Sequence, residues 1–548
     1  MRMPSIEAMK KFGSSLRLCD RLLLILIATS VVLRLFLINQ DISVILNKFL
    51  SDDAYYYYSL AKNIVNGHGI VFNYGIPTNG FHPLYVLILL PFFELLYPLG
   101  VNLPIYASLF ILTIFSAGTS VFLYLIVSKL LNKEAGLLAA FIWLFNPYVL
   151  SKSLMGLEIP IQLFFISLLT YFILDREDRV QFSVREATIT GFLIGIIFWS
   201  RMDGIFVGIG VIGALAIRKL FRHRKLTVAN LRTFYPDLAI IILIASLTVL
   251  PWIVWNLVEM NRIIPVSGEA LRMKRLISSS CPNLVIGSIY GTGVFVANFI
   301  TGLKLTVHGQ GYLVVFLALI VPFMVLMVKK DDLVRKLFSR LDFLVISSVL
   351  YYAFYWFYEL GFRSWYWLYT GFLVTIVFST MAIKVIQNIE VKKFRQSVYI
   401  LLICILVPAF ILGGIRQYRV GHACAAKLHW EIANYLESNI SPDETIGSFN
   451  TGIYQYYTKN HDVINLDGVM NPEAYQALKD GNIEGYILRK NIAYIVDSPS
   501  YIYVEKLDRS ILSLEPIKTF EIRCYSWGKE IQICELFKVT PAKDTEAE

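Results

Sequence analysis

The segment Ser51 to Tyr85, SDDAYYYYSLAKNIVNGHGIVFNYGIPTNGFHPLY, sets two adjacent carboxylates, a run of tyrosines, several glycines and a His-Pro pair beside an apolar stretch. Asp52 and Asp53 repel each other, and one alone would cap a helix, so a chain that keeps both at a membrane edge is expected to use them. Carboxylates in that setting can take a proton from a hydroxyl, or hold a divalent cation such as Mg²⁺ or Mn²⁺, and the pattern leaves both open. Tyr55 in the tyrosine run and His82 before Pro83 are further ligand-contact candidates, although an interfacial aromatic belt and a helix start account for such residues equally well.

Other polar side chains interrupt apolar sequence in the same manner. Glu158 stands in MGLEIP, Arg201 and Asp203 in WSRMDG, and Glu269, Arg272, Lys274 and Arg275 in PVSGEALRMKR. Glu359 and Arg363 precede Trp365-Tyr366-Trp367, of which Tyr366 is a candidate contact. Singly, a charge at a hairpin tip usually marks the water interface. Together, a carboxylate set and a guanidinium and ammonium set suit the activation of a hydroxyl and the holding of a phosphate.

The elements that must position these residues follow from composition. Of 548 residues, 56% are hydrophobic and 16% charged, which excludes an ordinary soluble domain and indicates a polytopic helical membrane protein. The net charge of +10 does not indicate a nucleic-acid partner, because the basic residues form short clusters between apolar segments, as the positive-inside rule requires. Six cysteines without CxxC spacing exclude a zinc or redox motif. Cys524 and Cys534 flank a turn at Trp527-Gly528, and their spacing does not set them opposite each other, so two free thiols are expected.

Basic clusters at the N-terminus, Lys129 and Lys133, Arg176 to Arg185, Arg218 to Lys225, Lys329 to Arg340 and Lys384 to Arg395 mark one face. The parity between them predicts about eleven transmembrane helices, those over 136–153 and 311–328 among them, with residues 83 to 99 and 284 to 303 as re-entrant or interfacial helices. The expected organisation is a cytoplasmic N-terminus over 1–20, a membrane domain over 21–415 with its first outer loop at 39–102, an extracytoplasmic α/β domain over 416–540 in which ETIGSFNTGIYQYY, DVINLDG and NIAYIVDSP alternate short β-rich runs with polar turns, and a disordered tail over 541–548. All the polar candidates then fall on the outer side.

The order of these motifs is similar to that of the GT-C glycosyltransferase superfamily. The acidic pair, GHG, PTNGFHPLY, the Gly-Leu-Glu tip, the Arg-x-Asp-Gly tip, the Pro-Trp…Trp-Asn…IIPVSGEA…K stretch and the late Arg-Ser-Trp-Tyr carry the likeness. Within the superfamily the chain resembles prokaryotic relatives of protein O-mannosyltransferases, lipid A aminoarabinose transferases and arabinofuranosyltransferases. The resemblance implies a GT-C fold and a polyprenyl-phosphate sugar donor. It also implies an extracytoplasmic glycan, lipid or protein acceptor and a catalytic carboxylate in the first outer loop. The family's Asp-Glu pair falls on Asp52 and Asp53, an Asp for Glu departure that leaves open which is the base; a later family carboxylate falls on Glu158. Arg272, Lys274 and Arg363 are the candidates for the donor phosphate. No Gly-rich phosphate loop faces the cytoplasm, so no nucleotide-sugar site is expected. A transporter or flippase of lipid-linked sugars would bind the same groups, but would place polar residues at mid-membrane depth in repeated segments. A non-catalytic glycan-binding subunit would leave the acidic pair unexplained.

Overall fold

Apolar runs punctuated by Pro, Asn and charged residues become helices with defined ends. A computed structural model describes residues 18–176, 182–222, 236–279, 332–358, 363–420, 424–524 and 530–542. In chain order its first helices are α1 (Leu18–Ile38), α2 (Ile42–Lys48), α3 (Asp52–Val65), α4 (Pro83–Leu96), α5 (Leu103–Leu130), α6 (Lys133–Phe145), α7 (Pro147–Ser153) and α8 (Ile159–Leu174). There follow α9 (Val184–Ser200), α10 (Ile205–Arg222), α11 (Pro236–Met260), α12 (Val266–Ser279), α13 (Asp332–Arg340), α14 (Asp342–Phe357), α15 (Leu368–Gln387) and α16 (Lys392–Val420). Proline opens α4 and α7, where its missing N–H costs nothing, and Asn146 caps α7 by accepting from the Tyr148 N–H at 2.9 Å.

Among the described residues five helices are long and apolar enough to cross a membrane, or up to seven if each of two bent pairs is one span. The expected helix over 136–153 is one of those pairs, bent by 56° between α6 and α7. The stretch at 83–99 is a 14-residue helix with Pro91 inside it and a short 3-10 turn after it, and ~20 residues are needed to cross a bilayer. The expected elements at 284–303 and 311–328, Glu359, and the Trp527-Gly528 turn lie outside the described residues. Small residues bring the helices together: a Cβ on Gly191 of α9 would stand 2.6 Å from the Ile241 carbonyl of α11.

The remainder forms a small α/β unit: α17 (Cys424–Asn439), β1 (Thr445–Ser448), α18 (Gly452–Tyr457), β2 (Val463–Asn465), α19 (Pro472–Lys479), α20 (Ile483–Arg489), β3 (Ile492–Asp497), α21 (Ile502–Glu505), β4 (Leu512–Cys524) and β5 (Glu530–Pro541). The sheet runs β2-β1-β3-β5-β4, with β2, β1 and β3 parallel and β5 antiparallel to its neighbours. Two expectations are corrected here. GIYQYY, read as part of the β-rich alternation, is the helix α18, because burial of Ile453, Tyr454 and Tyr456 overrides their strand preference. Cys524 is not a free thiol but is bonded to Cys424, with Cα atoms 5.9 Å apart. The β4–β5 register sets Cys524 against Glu530 and Phe520 against Cys534, so the two sequence neighbours never meet, and Cys534 stays free and buried.

The α/β unit is seated on the helical bundle through α18, which lies along α3. At the start of α18 the Ile453 N–H donates to Asp52 Oδ1 at 3.0 Å; at its end the Gln455 and Tyr456 carbonyls accept from Lys62 Nζ at 3.1 and 3.3 Å. An acid at the N-terminal end and a cation at the C-terminal end satisfy orphan backbone groups and match the helix polarity. A Cβ on Gly452 would meet the Asp52 carbonyl at 2.4 Å, so only glycine lets the two helices approach this closely.

The disulfide ties the first helix of the α/β unit to β4 across a separation of 100 residues. Cys424→Ser is expected to lower the stability of this unit by ~2–4 kcal/mol, read as an earlier unfolding transition in purified protein. An unchanged transition would remove the bridge from the architecture.

Candidate functional site

Adjacent residues on a helix point ~100° apart, and α3 uses that divergence. Asp52 is turned toward α18, where besides the Ile453 N–H it pairs with His429 Nδ1 of α17 at 3.5 Å. Burial disfavours the charged imidazole, but Asp52 outweighs it and the His429 pKa is pushed up to about 10. Asp53 is turned instead into a cavity of ≈ 180 Å³, together with Glu158, His82, Arg201, Lys274, Arg363 and Tyr366. Seven of the eleven sequence candidates therefore meet at one place, although they come from six separate stretches of chain.

The other four stand apart from that cavity. Asp52 is engaged as described. Tyr55 is packed under α18, its hydroxyl 3.2 Å from the Tyr457 hydroxyl. Arg272 lies over the Tyr358 ring at 4.6 Å. Asp203 stands behind Arg201, accepting from its Nη2 at 2.9 Å, from the Tyr355 hydroxyl at 2.7 Å and from Gln162 Nε2 at 2.7 Å. Burial alone would raise the Asp203 carboxyl, yet the Arg201 guanidinium and the Tyr355 hydroxyl hold it below the usual range.

Charge in the cavity is arranged around fixed pairs. Arg201 Nη1 donates to Glu158, which is 2% exposed, and the guanidinium also faces the Tyr366 ring at 5.0 Å. With a carboxylate on either side, Arg201 orients Glu158 rather than offering a vacant cation. His82 Nε2 lies 3.7 Å from Glu158, while its Nδ1 is buried with no hydrogen-bond partner among the described residues. Burial lowers the His82 pKa more than Glu158 restores it, so the imidazole is neutral near pH 7. Asp53 is pushed up by burial, partly offset by Arg363 and reinforced by Asp52. Burial lowers Lys274, with Asp467 acting in the opposite sense; its ammonium donates to the Tyr501 hydroxyl.

Sequence reasoning missed the contribution of the α/β unit. Asp467 and Asn450 both line the cavity, and burial raises the Asp467 pKa to about 6 against the pull of Lys274. Asp467 Oδ1 accepts from Asn465 Nδ2 at 2.9 Å and the Val469 N–H at 3.0 Å, a turn completed by Gly468 at φ 78°. The signal was the Asp-Gly turn after the apolar VINL, which marks a loop but not what the loop faces. Beside the cavity a groove of ≈ 380 Å³, lined by apolar side chains of α9, α10, α11, α12 and α14, shares His82, Arg201, Ser267, Leu271 and Tyr366 with it. Among the described residues no group of three His, Cys, Asp or Glu side chains is placed to hold a metal ion. Asp52 and Asp53 line different cavities.

Residues 82–255 match the family model of dolichyl-phosphate-mannose-protein mannosyltransferases, and residues 416–536 match a domain of unknown function, DUF8728. No curated protein matches the chain. Among solved structures, ArnT of Cupriavidus metallidurans bound to undecaprenyl phosphate is 12% identical with a TM-score of 0.52, covering 94% of this chain and 97% of its own. The oligosaccharyltransferase AglB of Archaeoglobus fulgidus, in complex with an inhibitory peptide and a dolichol-phosphate, is 15% identical with a TM-score of 0.50, covering 86% of this chain and 69% of its own. The structural likeness shows the fold that this chain shares with these proteins, and the stretch matched by the mannosyltransferase model includes the helices that Glu158 and Arg201 flank.

Proposed function

We propose that the protein is an inverting glycosyltransferase that moves a sugar from a polyprenyl phosphate to a hydroxyl of an extracytoplasmic glycan, lipid or protein, with Asp53 as the base. The observation that carries this reading is one buried cavity in which Asp53 faces Lys274 and Arg363, with an apolar groove opening from it. The prenyl chain lies in the groove between α9, α11 and α14, and the phosphate enters the cavity beside Lys274, Arg363 and the unpartnered Nδ1 face of His82. Asp53 takes the proton of the acceptor hydroxyl while its oxygen bonds to the anomeric carbon. The carbon–oxygen bond to phosphate breaks on the opposite face, and its electron pair leaves with the phosphate, where the cations neutralise it. Glu158, Arg201 and Asp203 hold the wall of the site in place. Asp52 joins the two parts of the molecule.

The Cys424–Cys524 bridge supports placing the α/β unit on the oxidising side of the membrane. Basic clusters concentrated at the opposite ends of the helices support the same orientation.

Asp53→Asn is expected to lower transfer by roughly 10²–10⁴-fold while donor binding persists, because shape is kept and proton acceptance is lost. Asp52→Asn is expected instead to lower the unfolding temperature and to retain most turnover. Near wild-type turnover in Asp53→Asn, with loss in Asp52→Asn, would exchange the two roles.

Acid should inhibit at a pH above the ordinary aspartate range, since burial raises Asp53 and the base works only when ionised. Arg363 holds that pKa down, so Arg363→Gln should move the acidic limb of the rate profile to higher pH. A limb that stays fixed or moves down would separate Arg363 from Asp53. Lys274→Gln should weaken donor affinity by about 1.5–3 kcal/mol, the worth of a hydrogen bond to a charged group.

A further inference from the structure

On the other side of the acidic pair lies a second cavity, lined by Asp52 and not by Asp53. It encloses ≈ 620 Å³ between the helical bundle and the α/β unit. Its titratable groups are Asp52, Lys152, His429, Asp497, Cys534 and the phenols of Tyr148 and Tyr501. Asp52 and His429 neutralise each other, and Asp497 is spent inside the α/β unit, accepting from Phe449 and Ser498 N–H groups and from Asn450 Nδ2. Lys152 is different. It is 6% exposed, and among the described residues no carboxylate or hydrogen-bond acceptor engages it; its one described contact of charge is the Tyr148 ring at 5.8 Å. A buried ammonium without an anion is costly unless a ligand supplies one.

The surroundings indicate what kind of ligand. An apolar groove of ≈ 720 Å³ runs between α1, α6, α7 and α16, and shares Phe49 and Gln417 with the cavity. Ser151 and Leu150, next to Lys152 on α7, line that groove. At its other end the cavity shares Trp365 and Asn450 with the Asp53 site. Apolar groove, unpaired buried cation and reacting carboxylate thus follow one another. That order fits an amphiphile with a negative headgroup, whose tail reaches the lipid through the groove.

We propose that this groove and cavity form a second lipid site, for a lipid with an anionic headgroup paired to Lys152, on the acceptor side of Asp53. Its assignment to the acceptor rests on the donor occupying the Asp53 cavity; the binding itself does not. An acceptor held there would reach the Asp53 site past Trp365 and Asn450, which line both cavities.

The test is equilibrium binding of fluorescent phosphatidic acid and phosphatidylcholine to the full chain in neutral-detergent micelles, without turnover. The wild type should prefer phosphatidic acid at least tenfold. Lys152→Gln should abolish the preference, and Lys152→Arg should restore it. Gly414→Phe should weaken both lipids, because a Cβ at Gly414 has only Pro147 Cγ near it, at 4.0 Å, and the ring enters the groove; this variant carries the test if Lys152→Gln does not fold. The proposal is overturned if Lys152→Gln keeps the preference, if Lys274→Gln removes it instead, or if glycerol 3-phosphate competes as well as the lipid does. Because the measurement needs no transfer, its failure is distinct from failure of Asp53 as base.

Discussion

The seating of α18 on α3 is the contact on which the rest of the site depends. Asp52 satisfies the first turn of α18, Lys62 satisfies its last carbonyls, and Gly452 permits the approach. Because Asp52 is committed to this joint, its neighbour Asp53 is left pointing a third of a turn away, into the cavity. The joint also accompanies the entry of Asn450 and Asp467, from two loops of the α/β unit, into the lining of that cavity. A half-buried carboxyl bordered by both parts of the molecule and by cations is then held in a poised state that neither part could impose alone.

The acidic pair illustrates how two chemically identical residues are divided by environment. The charge of Asp52 is compensated by a backbone N–H and an imidazolium, contacts that belong to structure. Among the described residues Asp53 has no such dedicated partner; its surroundings are the cavity and the more distant charges of Arg363 and Lys274. The same distinction applies among the cations. Arg201 sits between Glu158 and Asp203 and fixes a wall, whereas Lys274 and Arg363 border the space where an anion would lie.

Two grooves of different character open from the two sides of the acidic pair. One, lined by α9 to α12 and α14, joins the cavity at His82 and Arg201; the other, lined by α1, α6, α7 and α16, joins the interdomain cavity at Phe49 and Gln417. The helices α6 and α7, which meet at a bend of 56°, both line the second groove, and Lys152 of α7 lines the cavity beside it.

Much was legible in the chain because hydrophobic periodicity and charge placement are local properties. The helical membrane architecture, the change of composition near Arg416, the likeness to GT-C enzymes and the gathering of Asp53, Glu158, His82, Arg201, Lys274, Arg363 and Tyr366 into polar interruptions all follow from residue types and their order. What the sequence by itself could not determine is which of two adjacent carboxylates faces the cavity that Lys274 and Arg363 line, because that depends on a contact with a helix 401 residues along the chain. The same holds for the partner of Cys524, set by strand register, for the helical state of GIYQYY, set by burial, and for the entry of Asp467 into the site. Each is decided by contacts between segments remote in the chain, where packing outweighs local preference.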